Sequence, residues 1–243
     1  IKMTTDISVL QKLIDESDNI VFFGGAGVSV ESGLADFRSE GGIYNQKYDY
    51  PAEEMLSHHF FYTHTDYFYT FHKDKMINLQ AQPNEAHKKL AMLEKAGKLK
   101  AVITQNIDGL HQMAGSENVL ELHGTVNRNL CMRCKKCYDA AYVKNSDGIP
   151  LCSCGGTLKP DVVLYGESLD ETVISRALYY IKHADMLIVG GTSLTVYPAA
   201  GMIDNYRGEK LVLINKTPTL RDHLANYAFY GKIGEIFSQI TVR

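Results

Sequence analysis

Residues 24 to 38 read GGAGVSVESGLADFR and directly follow an apolar run, Ile20 to Phe23. An apolar strand feeding a glycine turn that opens a helix presents main-chain N–H groups and a helix dipole to a phosphate or pyrophosphate. The stretch therefore predicts an α/β protein whose function begins with a nucleotide. Gly25 and Gly27 supply two glycines of the dinucleotide fingerprint. Val30 stands where the third belongs, and no acid follows on a second strand at the usual distance. An ordinary strand-to-helix turn is the alternative. Against it stands Asp36-Phe37-Arg38, an acid, an aromatic face and a fixed cation set together just beyond the turn, as a polar and planar ligand requires.

On either side of this stretch the pattern alternates between helix and strand. Ile7, Leu10 and Ile14 share one stripe of a helix predicted over Asp6 to Ser17. Asn84 caps a helix carrying Ala86, Leu90 and Leu93 on one face, and Gly97 stops it. Strands are predicted at Lys100 to Thr104, Val119 to Leu122 and Val162 to Tyr165. A helix from about Leu169 to His183 follows, with Ser168 and Glu171 as its capping box. Met186 to Val189 and Leu211 to Ile214 are short and almost wholly apolar, as central parallel strands covered on both faces must be. The predicted fold is α/β, a doubly wound parallel (Rossmann-like) sheet formed by residues 1–40, 84–124 and 158–243. A cofactor loop and helical subdomain would occupy 41–83, where Tyr, Phe, His and Met are dense, and a small inserted zinc-ribbon module 125–157. Ligands in such sheets bind at the carboxyl ends of the strands, and the polar motifs Gly24 to Ser29, Gln105 to Asp108, Gly190 to Ser193 and Asn215 all fall there.

Bulk properties narrow the function. The 243 residues carry a net charge of −3, 45% hydrophobic and 22% charged residues, which gives an ordinary globular chain with no global attraction to nucleic acid or anionic membrane. No apolar run approaches the roughly 18 residues of a membrane span and no secretory segment opens the sequence, so a cytoplasmic protein without membrane contact is expected. Its five cysteines all lie between 131 and 154. Cys131-x-x-Cys134 and Cys152-x-Cys154 are two knuckles able to bring four thiolates around one tetrahedral zinc, with Cys137 as a possible substitute for the tight second pair. Four sulfur ligands leave no open position for water, so the zinc is structural. It would supply the folding energy of a segment too short to hold its own core.

His123 ends the strand Glu121-Leu122-His123-Gly124 beside a residue with no side chain. That context suits a general base, and equally a core or capping histidine. Taken together, GAGVS with SG and DFR, TQNIDGLH at 104–111, ELHG at 121–124, the cysteine knuckles, KPDVVLYGE at 159–167 and GTSLTVYP at 191–198 stand in the order shown by the sirtuins, the NAD-dependent protein deacylases. The resemblance covers the chain from about residue 20 to 215. It implies NAD as a consumed co-substrate, acyl-lysine peptides as partners, and nicotinamide and 2′-O-acyl-ADP-ribose as products.

By the same resemblance Gly25, Ala26, Gly27 and Ser29 would face the pyrophosphate and ribose, and Asp36, Phe37 and Arg38 would line the loop that closes over the cofactor. Gln105, Asn106, Ile107 and Asp108 would hold the nicotinamide end, and Gly191, Thr192, Ser193 and Asn215 the adenosine half. His123 would be the catalytic base, supported by Asn106 and Asp108. Val163, Tyr165 and Gly166 would receive the peptide as an added strand. Gly24 and Ala35 depart from the Thr and Pro common in the family, and Tyr165 stands where it often has Phe. Relatives that remove succinyl or malonyl groups carry a Tyr and an Arg three apart in the small subdomain. Here those places hold Tyr69 and His72, so acetyl or short neutral acyl groups are expected.

Four other functions use some of the same features. A zinc hydrolase or deaminase needs an open metal position and an H-x-E element, and the chain has neither. A nicotinamide dehydrogenase would return NADH. A zinc-ribbon module binding nucleic acid through Arg128, Arg133, Lys135 and Lys136 is not expected, because such charges ordinarily form a solvated face. Protein ADP-ribosyl transfer uses the same cofactor and is the nearest alternative.

Overall fold

The computed structural model describes residues 2–3 and 6–243. Ten strands are numbered along the chain: β1 Lys2–Met3, β2 Ile20–Gly24, β3 Leu99–Thr104, β4 Val119–Glu121, β5 Gly124–Cys131, β6 Cys137–Tyr138, β7 Leu158–Val162, β8 Met186–Gly190, β9 Leu211–Asn215 and β10 Tyr227–Tyr230. Seven form one sheet in the order β1-β10-β9-β8-β2-β3-β4, and every pairing in it is parallel. From β2 the chain moves outward through β3 and β4 on one side, then returns to lay down β8, β9 and β10 on the other. This is the doubly wound arrangement, and its direction reverses between β2 and β8. There the strand-exit turns diverge and leave a crevice.

Period-two alternation along β2 explains why both faces are covered. Ile20 and Phe22 enter one core with Leu10 and Ile14 of helix Ile7–Asp15, Leu90 and Leu93 of helix Glu85–Lys95, and Phe237 of helix Ile233–Ser238. Val21 and Phe23 enter the opposite core with Ala177 and Ile181 of helix Glu171–His183. All four β2 side chains are fully buried, and each contributes roughly 1.5–3 kcal/mol relative to exposure. A third core joins the short helices between Ala52 and Phe71 to the cysteine-bearing segment, with Phe60, Phe61, Phe68 and Tyr69 packed against Cys131, Val143 and Leu158.

Several boundaries differ from the expectation. Glycine does not open an α-helix after β2; Ala26–Val28 and Val30–Ser32 are two 3-10 turns, and the second ends at Gly33 in the left-handed region at φ 83°. Helix Glu171–His183 is capped by Asp170, whose carboxylate accepts from Thr172 and Val173 N–H, so Ser168 is not its cap. The strand expected at 162–165 instead spans Leu158–Val162. It is antiparallel, pairing with β5 in a separate β6-β5-β7 sheet that draws residues from both sides of the 125–157 segment. Strand β10 and the helix after it carry no strong periodicity and went unpredicted. Among the described residues no helix is long and apolar enough to cross a membrane.

Candidate functional site

The crevice at the topological switch point opens into a cavity of about 1540 Å³ running from the β2 and β8 turns to the small subdomain. Its near wall is built by close backbone approach. Gly25 N–H donates to Gly190 O at 3.2 Å, and Gly27 N–H to Gly191 O at 2.8 Å. A Cβ on Gly191, whose φ is +60°, would lie 2.3 Å from Val28 N, and one on Gly27 would lie 2.8 Å from Gly191 Cα. The glycines therefore serve the packing of one strand-exit turn on another, and two of the N–H groups expected to face a phosphate are already occupied. Gly25 sits behind the wall; Ala26, Gly27 and Ser29 line it.

Buried Ser29 is the hub of a polar cluster. Its hydroxyl donates to Asp108 Oδ2 at 2.6 Å and accepts from Asn106 Nδ2 at 3.1 Å. His87 Nε2 approaches the same oxygen at 3.5 Å. Asn84 N–H donates to His87 Nδ1, which leaves Nε2 to carry the proton of the neutral ring. His87 thus completes the capping box begun by Asn84 while steering the hydroxyl proton toward the carboxylate. Burial raises the Asp108 carboxyl above the ordinary range, opposed by the bonds from Ser29 and Leu110 N–H. Gln105 ties β3 to the β8 turn through Thr192 Oγ1, and Asn215 holds Thr192 by both its N–H and its carbonyl, at 3.0 and 3.1 Å.

His123 lines the cavity just after β4. Its Nδ1 lies 3.0 Å from Gln105 O, and a carbonyl only accepts, so Nδ1 bears the proton and Nε2 keeps its lone pair. Burial pushes the imidazole below its usual value, partly offset by that bond, so the ring is neutral at pH 7. Opposite stands a loop zipped by Ile43 N–H to Asp36 O and Tyr44 N–H to Phe37 O. Asp36 lines the cavity and also shapes this loop, its Oδ1 accepting from Arg38 and Ser39 N–H. Phe37 and Arg38 line it as well, each touching the Tyr44 ring.

Val163, Tyr165 and Gly166 lie along the far wall. Val163 N–H bonds His123 O, and the Tyr165 main chain is paired to Leu56 and His58. Among the described residues, the Val163 carbonyl and the Gly166 N–H have no protein partner. Tyr69 and His72 do not reach the cavity: both are buried in the third core, and the Tyr69 hydroxyl bonds Leu158 O. Two participants escaped the sequence reading. Tyr44 was lost among many aromatics, whereas His87 was signalled by its position three residues after the Asn84 cap.

Away from the cavity, the sulfurs of Cys131, Cys134, Cys152 and Cys154 lie within 4.8 Å of one another. The Cys131–Cys154 and Cys134–Cys152 pairs are each 3.5 Å apart. Thiolates about 2.3 Å from a tetrahedral zinc sit about 3.8 Å from each other, so the four fit a structural zinc ion. Exposed Cys137 is outside the cluster. Glycine makes the short second knuckle possible: Gly155 turns at φ +78°, and a Cβ on Gly156 would meet Cys131 Sγ at 2.7 Å.

Comparison with known proteins agrees with this geometry. The model of the Sir2 family matches residues 25–198. An NAD-dependent protein deacetylase of Clostridium tetani is 57% identical over 235 residues, spanning 95% of each chain. One of Clostridium acetobutylicum is 54% identical over 238 residues, covering 96% of this chain and 97% of its own. Among solved structures, Sir2 bound to acetylated peptide superposes with a TM-score of 0.83 at 36% identity, and Sir2 with a p53 peptide and NAD+ with 0.82 at 38%, each covering 96% of both chains. With the family model matched over residues 25–198, and relatives and fold in agreement over nearly the whole length, this chain belongs to the Sir2 family.

Proposed function

We infer that this chain removes acetyl groups from protein lysines with NAD consumed as co-substrate, giving nicotinamide, the free lysine and 2′-O-acetyl-ADP-ribose. The observation that carries the reading is one cavity at the switch point onto which Ser29, Asn106, Asp108 and His123 all face. Residues 1–40, 84–124 and 158–243 hold the dinucleotide, 41–83 close over it, and the segment 125–157 braces that closure through the third core.

NAD supplies an electrophilic ribose carbon when its nicotinamide leaves, and the acetyl-lysine oxygen is the nucleophile that meets it. Gly27, Ser29, Gln105, Asn106, Ile107 and Asp108 orient the reacting half; Thr192, Ser193 and Asn215 orient the adenosine half. Neutral His123 accepts a proton at Nε2, the nitrogen left free by the bond at Nδ1, and so activates a ribose hydroxyl. Phe37 excludes water from the same place. The Val163 carbonyl and Gly166 N–H offer main-chain pairing to an extended peptide, which favours backbone over side-chain selection. A working place in the cytoplasm suits cysteines that form no disulfide, and nucleic acid has no part in this reading.

Incubation with NAD and an acetyl-lysine peptide tests it. Nicotinamide and O-acetyl-ADP-ribose are expected, with His123→Ala as the inactive control. A peptide that gains the mass of ADP-ribose would instead establish the transferase reading, and accumulation of NADH would establish a dehydrogenase.

A further inference from the structure

The loop from Asp36 to Asn45 is bonded chiefly to itself. Asp36, Phe37, Arg38 and Ser39 pair with residues no further along than Asn45. Among the described residues, a single hydrogen bond joins this loop to another segment: the Tyr44 hydroxyl lies 2.5 Å from the Tyr165 hydroxyl, 121 residues away in sequence. The two ends of that bond differ in firmness. Tyr165 is fixed on both sides of its own backbone, donating to Leu56 O and accepting from His58 N–H at 2.9 Å each. Tyr44 passes the constraint on, because its ring meets Phe37 edge-on with centroids 5.5 Å apart and lies under the Arg38 guanidinium at 5.3 Å.

We propose that Tyr165 is a positioning residue for the reaction: its hydroxyl, acting through Tyr44, holds Phe37 over the reacting end of the cavity and thereby decides whether nicotinamide, once released, returns. This rests on the function inferred above. After the glycosidic bond breaks, two fates compete at the ribose carbon. Nicotinamide can attack again and regenerate NAD, or the acetyl group can pass to the ribose with His123 as base. Phe37 lines the cavity together with Asn106, Asp108 and His123, so displacement of its ring opens space for returning nicotinamide, whereas the second fate turns on His123, which Tyr44 does not touch.

The experiment compares exchange of labelled nicotinamide into NAD with deacetylation in the same reaction, for wild type, Tyr165→Phe, Tyr44→Phe and the double variant. Each single variant removes one hydroxyl and no carbon, so the ratio of exchange to deacetylation should rise roughly three- to tenfold, as loss of one hydrogen bond predicts. The double variant should rise no further than either single one, because both hydroxyls serve one bond. A misfolded fraction lowers both rates equally and leaves the ratio unchanged, which separates positioning from general damage. A deacetylating wild type whose Tyr165→Phe ratio stays within twofold, or single effects that multiply in the double variant, would overturn this inference alone. A wild type that exchanges and deacetylates nothing would overturn the inferred function as well.

Discussion

His123 Nδ1 faces the main-chain oxygen of Gln105 at 3.0 Å, so the residue that leaves β3 toward the cofactor pocket also sets the tautomer of the ring that leaves β4. A side-chain substitution at Gln105 does not remove this bond. The imidazole is therefore oriented by the sheet itself, through two adjacent parallel strands held in register by Ile103 and Leu120.

The first prediction concerns pH. Burial holds the His123 pKa below its ordinary 6.5, so the base stays deprotonated to lower pH than a free imidazole. The acid limb of kcat/KM should have its midpoint below about 6.5. His123→Ala should lower kcat at pH 7 by roughly two to four orders of magnitude, while NAD binding followed by calorimetry survives.

Ser29→Ala removes one hydroxyl from a cluster in which Asn106 donates to it and Asp108 accepts from it. Both partners are left short of a hydrogen bond inside the fold, at a stability cost of about 1–3 kcal/mol measurable by urea unfolding. Loss of the Ser29 bond also raises the Asp108 carboxyl further. The KM for NAD should increase by about tenfold or more, and an unchanged KM would show that the cluster is purely structural.

Acid should destabilise the fold through three histidines. Burial pushes His72 to about 3, His87 to about 4 and His111 to about 3, from 6.5 in each case. Below pH 6.5 the unfolded chain takes up protons that the folded chain does not, so this stability is complete above that pH and is lost as pH falls toward 4. Each ring contributes a slope of up to about 1.4 kcal/mol per pH unit. Both nitrogens of His111 are buried without a partner among the described residues. His111→Leu should therefore cost little at pH 7 and flatten the slope by about one proton, as urea melts at a series of pH values would reveal.

Zinc should be present at one ion per chain, released when the thiols are modified. Chelation should expose Phe60, Phe61 and Phe68, because their core is shared with Cys131 and Cys152. Binding of an apolar dye and loss of activity should then follow the same time course. Cys137→Ser should leave zinc content unchanged, since Cys137 lies outside the four-sulfur cluster.

Acyl choice follows from what the small subdomain turns inward. Tyr69 and His72 are both about 1% exposed, so neither offers a charge or hydroxyl to an acidic acyl group, and the small subdomain supplies it no bidentate cation at these places. The kcat/KM for a succinyl-lysine peptide should fall at least a hundredfold below that for the acetyl peptide. Equal values would assign the acidic acyl group to a cation of the cavity wall such as Arg38 or Lys75.

The local sequence determined the parallel sheet, since runs such as Met186 to Val189 are apolar at every position and only a strand covered on both faces tolerates that. It determined the metal-binding segment as well, because five cysteines within 24 residues, from Cys131 to Cys154, have little freedom to be elsewhere, and only the fold set Cys137 outside the cluster. Tertiary structure decided the rest. That Gly27 packs on Gly191 and that Tyr165 finds Tyr44 both depend on partners distant in sequence. Periodicity and spacing record how a residue relates to its near neighbours along the chain. A hydroxyl 121 residues away becomes a neighbour only when the fold brings the two loops together.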